Sequence, residues 1–422
     1  MENNFNLPRN DKPRIVIIGA GFAGLKLARL LAKSKYQVVM IDRQNFHQFQ
    51  PLLYQVATSG IEPALISFPV RKVFQRHKNL HFRTAELLEI QTQDNHIITD
   101  AGRLHFDKLV IATGVTTNYY GNKNIARYGI PMKSTAEAIF LRNRILESFE
   151  KAILTEDEKK QDDLLSIAVV GGGPTGVELS GAIAELRNYV LPKDYPELDF
   201  SRMKIRLYEA APRLLNGMSE RSGKDAARFL DNLGVEVLLN SQIEDYDGQN
   251  LKVTGDRTIR SQLLIWTAGV TGYKIKGLKE ADYVGNRRLR VDRHNKLESY
   301  DNIYAIGDIA CMTTEEYPKG HPQVAQVAIQ QARLLAKNLK TGKWKAFSYL
   351  FKGDLATIGR SMAVADLPGF RFSGLIAWIL WLFVHLMAIL GVKNKLFIFY
   401  NWANSYFFRN QSLRILIKPF TK

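Results

Sequence analysis

The sequence is poor in cysteine, with Cys311 as the single thiol among 422 residues. One thiol excludes an intrachain disulfide framework and a Cys-x-x-Cys redox pair, because each needs two cysteines. Enzymes that reduce disulfides or oxidise sulfide through reactive cysteines are therefore disfavoured. The scarcity of cysteine also predicts a reducing, cytoplasmic setting. We interpret Cys311 as an inert small residue.

The first residues of the chain contain no apolar leader. Residues 1–13 are polar and lack the apolar core of a secretory signal peptide. We therefore expect a disordered tail ahead of the first strand, and no signal peptide.

Acidic residues are scarce relative to basic ones, with 41 Asp and Glu against 58 Lys and Arg and a formal net charge of +17. Such a surplus suits an anionic membrane surface, a nucleic acid or an anionic substrate, and it does not choose among them. The hydrophobic share of 46% excludes a disordered or collagen-like chain. A chain of this length predicts two or three domains.

What the sequence does contain is a strand–turn–helix pattern near its start. Residues 15–18 are four consecutive β-branched residues and predict a buried parallel strand. In the Gly-x-Gly-x-x-Gly that follows, Gly19 permits a tight turn, Gly21 lets the backbone approach a pyrophosphate, and Gly24 lets helix and strand pack closely. A second strand ends in Asp42, whose carboxylate can accept hydrogen bonds from a ribose. A structural Gly-rich turn is the alternative, but the complete pattern favours a dinucleotide site.

The same pattern returns in the middle of the chain. A second buried strand leads into Gly171-x-Gly173-x-x-Gly176. A later strand ends in Glu209, at a longer distance from the glycines than the usual ~20 residues. An acid at this position favours NAD over NADP because it repels a 2′-phosphate, while the nearby Arg213 leaves NADP open.

Two dinucleotide folds in one chain indicate electron transfer between two nucleotides, a flavin and a nicotinamide. The strand predicted at residues 109–114, which ends in small residues, has a counterpart at 263–269 in the second fold. A further apolar strand at 301–308 ends in Gly307-Asp308. An Asp there is well placed to bond a ribityl hydroxyl of a flavin.

Together these motifs resemble those of the two-dinucleotide-binding-domain flavoproteins. Within that class the sequence resembles the type II NADH dehydrogenases, the NADH:quinone oxidoreductases that do not pump protons. The resemblance covers nearly the whole chain, and its last motif, Ala-Gln-x-Ala-x-Gln, marks quinone reduction in the family. The stretches that carry it are residues 19–24, 49–57, 171–179, 266–270, 305–308 and 325–330.

The resemblance implies that the first fold holds FAD and the second holds NADH, and we predict no metal ion. A helix opening at Pro322 would point its N-terminal amides at the flavin, where the helix dipole stabilises the anionic reduced ring. The residues implied to contact FAD are Gly19, Gly21, Phe22, Ala23, Gly24, Asp42, Arg43, Ala112, Thr113, Gly114, Gly307, Asp308, Ala325 and Gln326. Those implied to contact NADH are Gly171, Gly173, Pro174, Thr175, Gly176, Glu209, Ala268 and Gly269.

The resemblance also implies quinone contacts near the start of that helix. Gln326 and Gln330 lie four residues apart and share one helix face, from which their amides would bond the quinone carbonyls. The alternative is a solvated helix face. The sequence does not choose between menaquinone and ubiquinone, and it leaves a homodimer open.

Glu178 is the predicted catalytic residue. It lies two residues after Gly176, in a largely apolar turn of the predicted helix. Such a setting raises the pKa of a carboxylate and suits a proton relay. The resemblance places the equivalent glutamate near the flavin, so our hypothesis is that Glu178 supports proton delivery as quinone becomes quinol. The alternative is a favourable partner of the helix dipole.

The longest apolar stretch, residues 374–392, lies near the end of the chain, and its length would allow a short transmembrane helix. Closely spaced Trp378 and Trp381, the lysines that follow, and a second aromatic-rich segment at 396–408 favour a helix lying in the membrane interface. We predict a peripheral, monotopic anchor on anionic lipids at the cytoplasmic side of the cell membrane. A spanning helix and a buried core or dimer helix are the alternatives.

The predicted fold class is α/β, with two Rossmann-like dinucleotide-binding domains, the second inserted into the first, and a C-terminal membrane-anchoring helical segment. We assign residues 1–118 and 289–350 to the FAD-binding domain and 119–288 to the NADH-binding domain. Residues 351–422 form the anchoring region, which would begin with a strand over 355–365.

The predicted function is oxidation of NADH and reduction of a membrane quinone through FAD, without proton pumping. One rival is an NAD(P)H-dependent reductase of a small iron–sulfur carrier protein, which would lack the apolar tail. A second rival, prompted by the charge, is a redox-sensing or nucleic-acid-binding flavoprotein. Since the C-terminal aromatics are not interleaved with Lys and Arg across one face, we predict no nucleic-acid partner.

Overall fold

The computed structural model describes residues 5–8, 10–408 and 413–417. The chain divides into two compact units, each built from three chain segments. Unit 1 comprises Met1–His47, Phe68–Thr116 and Val270–Phe351, and unit 2 comprises Gln48–Ser67, Thr117–Gly269 and Lys352–Lys422. Residues 48–67 thus group with the second unit and residues 270–288 with the first.

A five-stranded parallel sheet forms the centre of unit 1. The predicted first strand lies in its middle and is buried, as expected for a β-branched run in a parallel sheet. In spatial order the strands are Ile303–Ala305, Lys108–Ile111, Arg14–Ile18, Gln37–Asp42 and Leu80–Thr84.

The remaining elements of unit 1 complete its core. Helix Phe22–Leu31 packs against the parallel sheet and against helix Ala325–Thr341, and a short helix spans Val70–Phe74. Buried side chains such as Val16, Ile111 and Val327 belong to one hydrophobic cluster. The smaller strands are Leu87–Gln91, His96–Thr99, Gly102–His105, Tyr283–Val284, Arg288–Arg290 and Ala310–Cys311.

Unit 2 repeats the architecture. Its five parallel strands are, in spatial order, Ile130–Pro131, Leu263–Trp266, Ser166–Val170, Lys204–Tyr208 and Glu236–Leu238. Because strand Ile303–Ala305 of the unit 1 sheet follows all of these in the chain, the second sheet is inserted into the first fold. The predicted α/β class is confirmed.

Helices pack against the second sheet, and unit 2 also contains a separate three-stranded antiparallel sheet. Helix Thr135–Ala152 begins at a capping box in which the Ser134 and Glu137 side chains each accept a hydrogen bond from the other's backbone amide. The other helices are Leu53–Ala57, Pro63–Ile66, Lys123–Tyr128, Glu158–Leu164, Pro174–Tyr189, Leu191–Asp194 and Glu220–Asn232. The antiparallel strands are Ile243–Tyr246, Asn250–Val253 and Arg257–Arg260, and short strands where the chain passes between units are Phe46–Gln48, Ser67–Pro69, Thr116–Thr117 and Val270–Thr271.

The C-terminal region of unit 2 consists of a three-stranded antiparallel sheet and two helices. The single strand expected over 355–365 is wrong: strands Asp354–Gly359 and Met362–Leu367 form a hairpin instead, with Ser361 at positive φ in the turn, and Phe370–Ser373 is the third strand. The two helices, Leu375–Ala388 and Val392–Phe408, lie in the segment that the sequence predicts as a membrane anchor, and we refer to them by that prediction as the anchor helices. In the described part of the chain, no helix combines the length and the apolarity needed to cross a membrane.

Candidate active site

The first glycine motif forms a cradle at the carboxyl end of strand Arg14–Ile18. Gly19 has a φ of +106°, and an added Cβ would overlap the carbonyl oxygen of Ala112. At Gly24 a Cβ would overlap the carbonyl oxygen of Gly19, whereas at Gly21 it would meet nothing within 4 Å. Two glycines are therefore fixed by close packing, and the third leaves the open space that a pyrophosphate needs. Phe22 and Ala23 begin the helix that follows.

Asp42 holds the loop of this cradle. One carboxylate oxygen accepts the amide of Ala20 at 2.6 Å, and the other accepts the amide of Gln44 at 2.7 Å. Burial raises the pKa of Asp42, opposed by these two amides and by Arg43. On the other side of the loop, the Nδ1–H of buried His47 donates to the Ala20 carbonyl at 2.8 Å, and burial lowers the pKa of His47.

The neighbouring strand ends complete the first cradle. The Thr113 hydroxyl, between Ala112 and Gly114, is buried and has no hydrogen-bond partner among the described residues. Such an orphaned donor fits a cofactor that supplies the partner. Beside it in the sheet, the strand Ile303–Ala305 leads to Gly307 and Asp308. Arg43 lies at the surface, where it donates to the Tyr273 hydroxyl at 3.3 Å.

Gly307 is held by a residue that the sequence analysis did not identify. Its amide donates to the side-chain oxygen of buried Gln331 at 2.8 Å. A Cβ at Gly307 would lie 3.2 Å from that of Ala23, so this loop packs closely on the cradle helix. Gln331 directly follows the Ala-Gln-x-Ala-x-Gln motif. The signal available in the sequence was its place three residues after Ala328 and four before Leu335, on the apolar face of the predicted helix.

The second glycine motif forms an equivalent cradle in unit 2. Gly171 has a φ of +110°, and a Cβ there would lie 2.9 Å from the amide nitrogen of Ala268. At Gly176 a Cβ would overlap the carbonyl oxygen of Gly171, and at Gly173 it would meet nothing within 4 Å. Gly269, at the end of the adjacent strand, also has positive φ. Pro174 and Thr175 open the helix, where proline costs no hydrogen bond.

Glu209 holds the loop of the second cradle, as Asp42 holds the loop of the first. Its carboxylate accepts the amide of Gly172 at 2.5 Å and that of Ala211 at 2.7 Å. The long insertion between glycines and acid therefore does not displace Glu209 from the loop. Arg213 donates to the carbonyls of Asn216 and Met218.

The helix that carries the quinone motif starts later than expected. The sequence predicts an opening at Pro322, but the helix begins at Ala325, after an extended Val324. The Gln323 side chain donates to the Asp308 carbonyl at 2.9 Å, which holds the preceding segment out of the helix. The prediction for Pro322 is wrong for this reason.

The two glutamines of the motif have different surroundings. Gln326 is half-buried in the first turn. The Gln330 amide donates to the Leu350 carbonyl at 2.9 Å, and its oxygen accepts the Leu350 amide at 3.0 Å. Gln330 therefore uses both groups of its amide on the backbone of unit 1.

Glu178 lies in the helix Pro174–Tyr189, with 8% of its surface exposed. Burial raises the pKa of its carboxyl to about 8. The Thr357 amide lies 3.4 Å from Oε1 of Glu178 and opposes this rise in pKa. The indole of Trp381 opposes it as well, although its N–H makes no hydrogen bond to a described residue. A carboxyl that keeps its proton at neutral pH is able to act as a proton donor.

Glu178 faces a cavity of about 200 Å³ within unit 2. The anchor helices line it with Trp378, Trp381, Trp402 and Tyr406. An engineered cavity of about 150 Å³ accommodates benzene, so this volume admits one aromatic or quinonoid ring. Aromatic walls with a few polar groups are typical of small-molecule sites.

Polar groups reach the cavity from several elements. Helix Leu53–Ala57 supplies Tyr54 and Gln55, and helix Pro174–Tyr189 adds Glu185 two turns after Glu178. The hairpin supplies Arg360, whose guanidinium lies 4.1 Å from the centre of the Tyr406 ring. Of the cavity residues, Glu178 alone was given a role from the sequence. Tyr54 and Gln55 belong to the stretch 49–57 that carries the family resemblance, but no contact was predicted for them.

Comparison with known proteins defines the class first. The family model described as pyridine nucleotide-disulphide oxidoreductase matches residues 13–332. The two glycine cradles are in keeping with this match, and the chain belongs to this class of flavin-dependent oxidoreductases.

The particular family follows from the relatives and from the C-terminal region. The family model described as NDH2 C-terminal domain matches residues 351–411. Type II NADH:quinone oxidoreductase Ndh of Mycobacterium tuberculosis is 34% identical over 413 residues, covering 92% of this chain and 87% of the relative. The type II NADH:quinone oxidoreductase of Staphylococcus saprophyticus is 29% identical, covering 86% and 92%. The chain belongs to the type II NADH:quinone oxidoreductases, as predicted.

Solved structures agree on the fold. The structure of NDH2 from Plasmodium falciparum in complex with NADH has a TM-score of 0.88 at 23% identity, covering 96% of this chain and 100% of that one. The sulfide:quinone oxidoreductase of Aquifex aeolicus has a TM-score of 0.71 at 14% identity, covering 93% and 91%.

Proposed function

We propose that this chain holds FAD in the first cradle and NADH in the second, and that its quinone enters the cavity beside Glu178. When bound, FAD supplies the redox chemistry by accepting a hydride and releasing two electrons. The observation that carries the proposal is the pairing of a buried, protonated Glu178 with an aromatic cavity in the same unit. Quinone reduction consumes two protons, and such a carboxyl delivers them one at a time, taking up a proton from water after each transfer.

The residues of each cradle have distinct tasks. Gly19, Gly24 and Asp42 shape the loop for the FAD pyrophosphate, and the Thr113 hydroxyl bonds the cofactor. Gly171, Gly176 and Glu209 do the same for NADH, with the second lone pairs of the Glu209 carboxylate left for ribose hydroxyls. An acid at this point disfavours a 2′-phosphate, which selects NADH over NADPH.

Membrane docking completes the proposed function. Ile376, Ile379, Phe383 and Met387 follow helical spacing on the first anchor helix and are 54% to 72% exposed, while Trp381 on the opposite face is buried. The second anchor helix exposes further large apolar side chains, among them Leu396, Tyr400 and Phe407. Apolar faces of this kind lie in a lipid interface, and the surplus of basic residues favours anionic lipids on the cytoplasmic side.

Only one of the two motif glutamines is assigned to quinone contact in this proposal. Gln330 supports the Leu350 segment through its two hydrogen bonds. Gln326 is the member of the pair that we assign to quinone or flavin contact.

The function is tested on purified, FAD-loaded protein in two half-reactions without oxygen. Addition of NADH should bleach the flavin absorbance, and addition of a short-chain ubiquinone or menaquinone should restore it. Bleaching without recovery for every quinone would contradict the quinone assignment. A rapid recovery with a small iron–sulfur protein instead would favour the rival carrier reductase.

A further inference from the structure

A directional hydrogen-bond chain connects the second anchor helix with the cavity. The Trp402 indole N–H donates to the Gln55 side-chain oxygen at 2.8 Å. The Gln55 side-chain nitrogen in turn donates to the Tyr54 hydroxyl oxygen at 2.8 Å. Trp402 and Gln55 are 347 residues apart in the chain, so the contact belongs to the tertiary fold.

The direction of this chain is fixed by chemistry. An indole N–H is only a donor, so the oxygen of Gln55 must face Trp402 and its NH₂ must face Tyr54. The Tyr54 oxygen therefore acts as acceptor toward Gln55, and its own O–H has to point elsewhere. Among the described residues that O–H has no acceptor, although Tyr54 is only 5% exposed.

Tyr54 and Glu178 line the same cavity. The negative charge of an ionised Glu178 raises the pKa of Tyr54, after burial as the larger cause, so the two groups lie close enough to interact. A buried O–H with no protein acceptor costs free energy. A quinone carbonyl oxygen in the cavity would accept that bond.

We propose that Tyr54 is a catalytic residue that donates its hydroxyl proton to a quinone oxygen, with Gln55 and Trp402 as positioning residues. This inference rests on the proposed function. As the reduced flavin supplies two electrons, a Tyr54 O–H bond breaks and a quinol O–H bond forms. Glu178 gives its proton to the Tyr54 oxygen and regains one from water. The second proton follows the same route, which completes the uptake of two protons and two electrons.

The test measures flavin reoxidation by a short-chain quinone after anaerobic reduction with NADH. In Tyr54→Phe, reduction by NADH should keep the wild-type rate, while reoxidation should slow about 100-fold, the usual scale for loss of general acid catalysis. Quinone affinity, read from quenching of tryptophan fluorescence, should change by no more than about fivefold, since one neutral hydrogen bond contributes about 1 kcal/mol.

The positioning residues are tested by coupling. Trp402→Phe removes the indole N–H and should slow reoxidation. The Gln55 amide is then free to turn, so that its oxygen accepts a hydrogen bond from the Tyr54 hydroxyl. The double variant with Tyr54→Phe should be no slower than Tyr54→Phe alone, since both changes remove the same oriented hydroxyl. Tyr246→Phe is the matched control: it deletes another buried hydroxyl of unit 2, bonded to the Ser261 carbonyl and outside the cavity.

The pH dependence provides an independent readout. Other charged or titratable groups around this site are Glu185, Tyr189, Arg360 and Tyr406 in the cavity wall and His385 stacked on Trp381. Reoxidation by wild type should fall as pH rises through about 8, where Glu178 loses its proton. Tyr54→Phe should lose this dependence, because proton transfer from Glu178 then has no carrier.

The outcomes distinguish failure of the proposed function from failure of the role of Tyr54. If wild type is not reoxidised by any quinone, the proposed function fails. If wild type is reoxidised and Tyr54→Phe matches it in rate and pH profile, the function stands and the role of Tyr54 is overturned. Additive rate losses in Trp402→Phe and Tyr54→Phe would overturn the positioning role.

Discussion

The two nucleotide cradles are alike in almost every contact. In each, the first glycine has a φ near +110°, the third packs on the carbonyl of the first, and the middle one faces open space. In each, the acid at the end of the second strand accepts two loop amides, which are Ala20 and Gln44 for Asp42 and Gly172 and Ala211 for Glu209. Such repetition is expected of two sites that bind the same kind of ligand, and our proposal assigns one nucleotide to each.

The cradles differ two residues after the third glycine. In unit 1 this position is Lys26, which is half-exposed. In unit 2 it is Glu178, buried against Thr357 and Trp381 of the C-terminal region. Because the first cradle is complete without a buried acid, Glu178 is not needed to build a cradle. The difference therefore points to chemistry specific to unit 2.

The largest expected effect comes from breaking one cradle at a time. Gly24→Ala and Gly176→Ala each place a Cβ onto the carbonyl oxygen of the first glycine of the motif. Gly24→Ala should yield protein without bound flavin absorbance. Gly176→Ala should keep its flavin, yet NADH should bleach it at least about 100-fold more slowly at subsaturating concentration.

The control for this pair is Gly217→Ala, where a Cβ meets nothing within 4 Å. It should keep both flavin and NADH reduction. Wild-type reduction by NADH in Gly176→Ala would contradict the assignment of the nicotinamide nucleotide to the second cradle. Dithionite bleaching checks that the retained flavin is still reducible.

The next effect sharpens the contrast between Lys26 and Glu178. Glu178→Gln removes the proton donor and should slow flavin reoxidation by quinone about 100-fold. Flavin content and reduction by NADH should stay near wild type. Lys26→Gln, which also replaces a titratable group by an amide at the matching position of unit 1, should leave reoxidation intact. Equal reoxidation rates for Glu178→Gln and wild type would remove Glu178 from the mechanism.

A smaller effect is expected from the acids that the cradles share. Glu209→Gln places an NH₂ opposite a loop amide N–H, so one loop hydrogen bond becomes a clash of donors. The KM for NADH should rise about tenfold, equivalent to about 1.4 kcal/mol. Asp42→Asn should weaken FAD retention instead and leave that KM unchanged in the fraction that keeps flavin. Crossed effects would contradict the assignment of the nucleotides to the cradles.

The last effect is on the stability of the fold and leaves catalysis aside. The folded-state pKa of Glu178 is about 8 against an ordinary value of 4.5, because burial disfavours the ionised form. The contribution of the protonated carboxyl to the free energy of unfolding is therefore complete below about pH 4.5. It is lost as pH rises to about 8, by at most about 1.4 kcal/mol per pH unit. Glu178→Gln should lack that loss. Denaturant unfolding of both proteins from pH 5 to 9 measures the difference, and parallel curves would contradict the buried neutral acid.

Sequence alone predicted the cradles well, because each rests on local patterns. Glycines at fixed spacing after a β-branched strand, and an acid after the next strand, are dictated by short-range geometry. The helix carrying Gln326 was misplaced by three residues because a side chain of the loop itself, Gln323, bonds the Asp308 carbonyl. No local pattern reports such a contact.

The cavity was beyond sequence reasoning for the same reason. Its walls unite Tyr54, Glu178, Thr357 and Trp402, which come from four distant segments. The prediction that Glu178 has a raised pKa used two apolar neighbours in its own turn. In the structure, Trp381 of the first anchor helix also helps to bury Glu178, although the two residues are far apart in the sequence.

The most direct test of the central claim is a double-mixing stopped-flow experiment on the FAD-loaded protein with lipid vesicles containing anionic lipid. NADH is mixed first, and vesicles with a lipophilic quinone follow once the flavin is bleached. We expect flavin absorbance to recover with wild type and to recover about 100-fold more slowly with Glu178→Gln. Equal recovery in both, or no recovery with wild type, would contradict it.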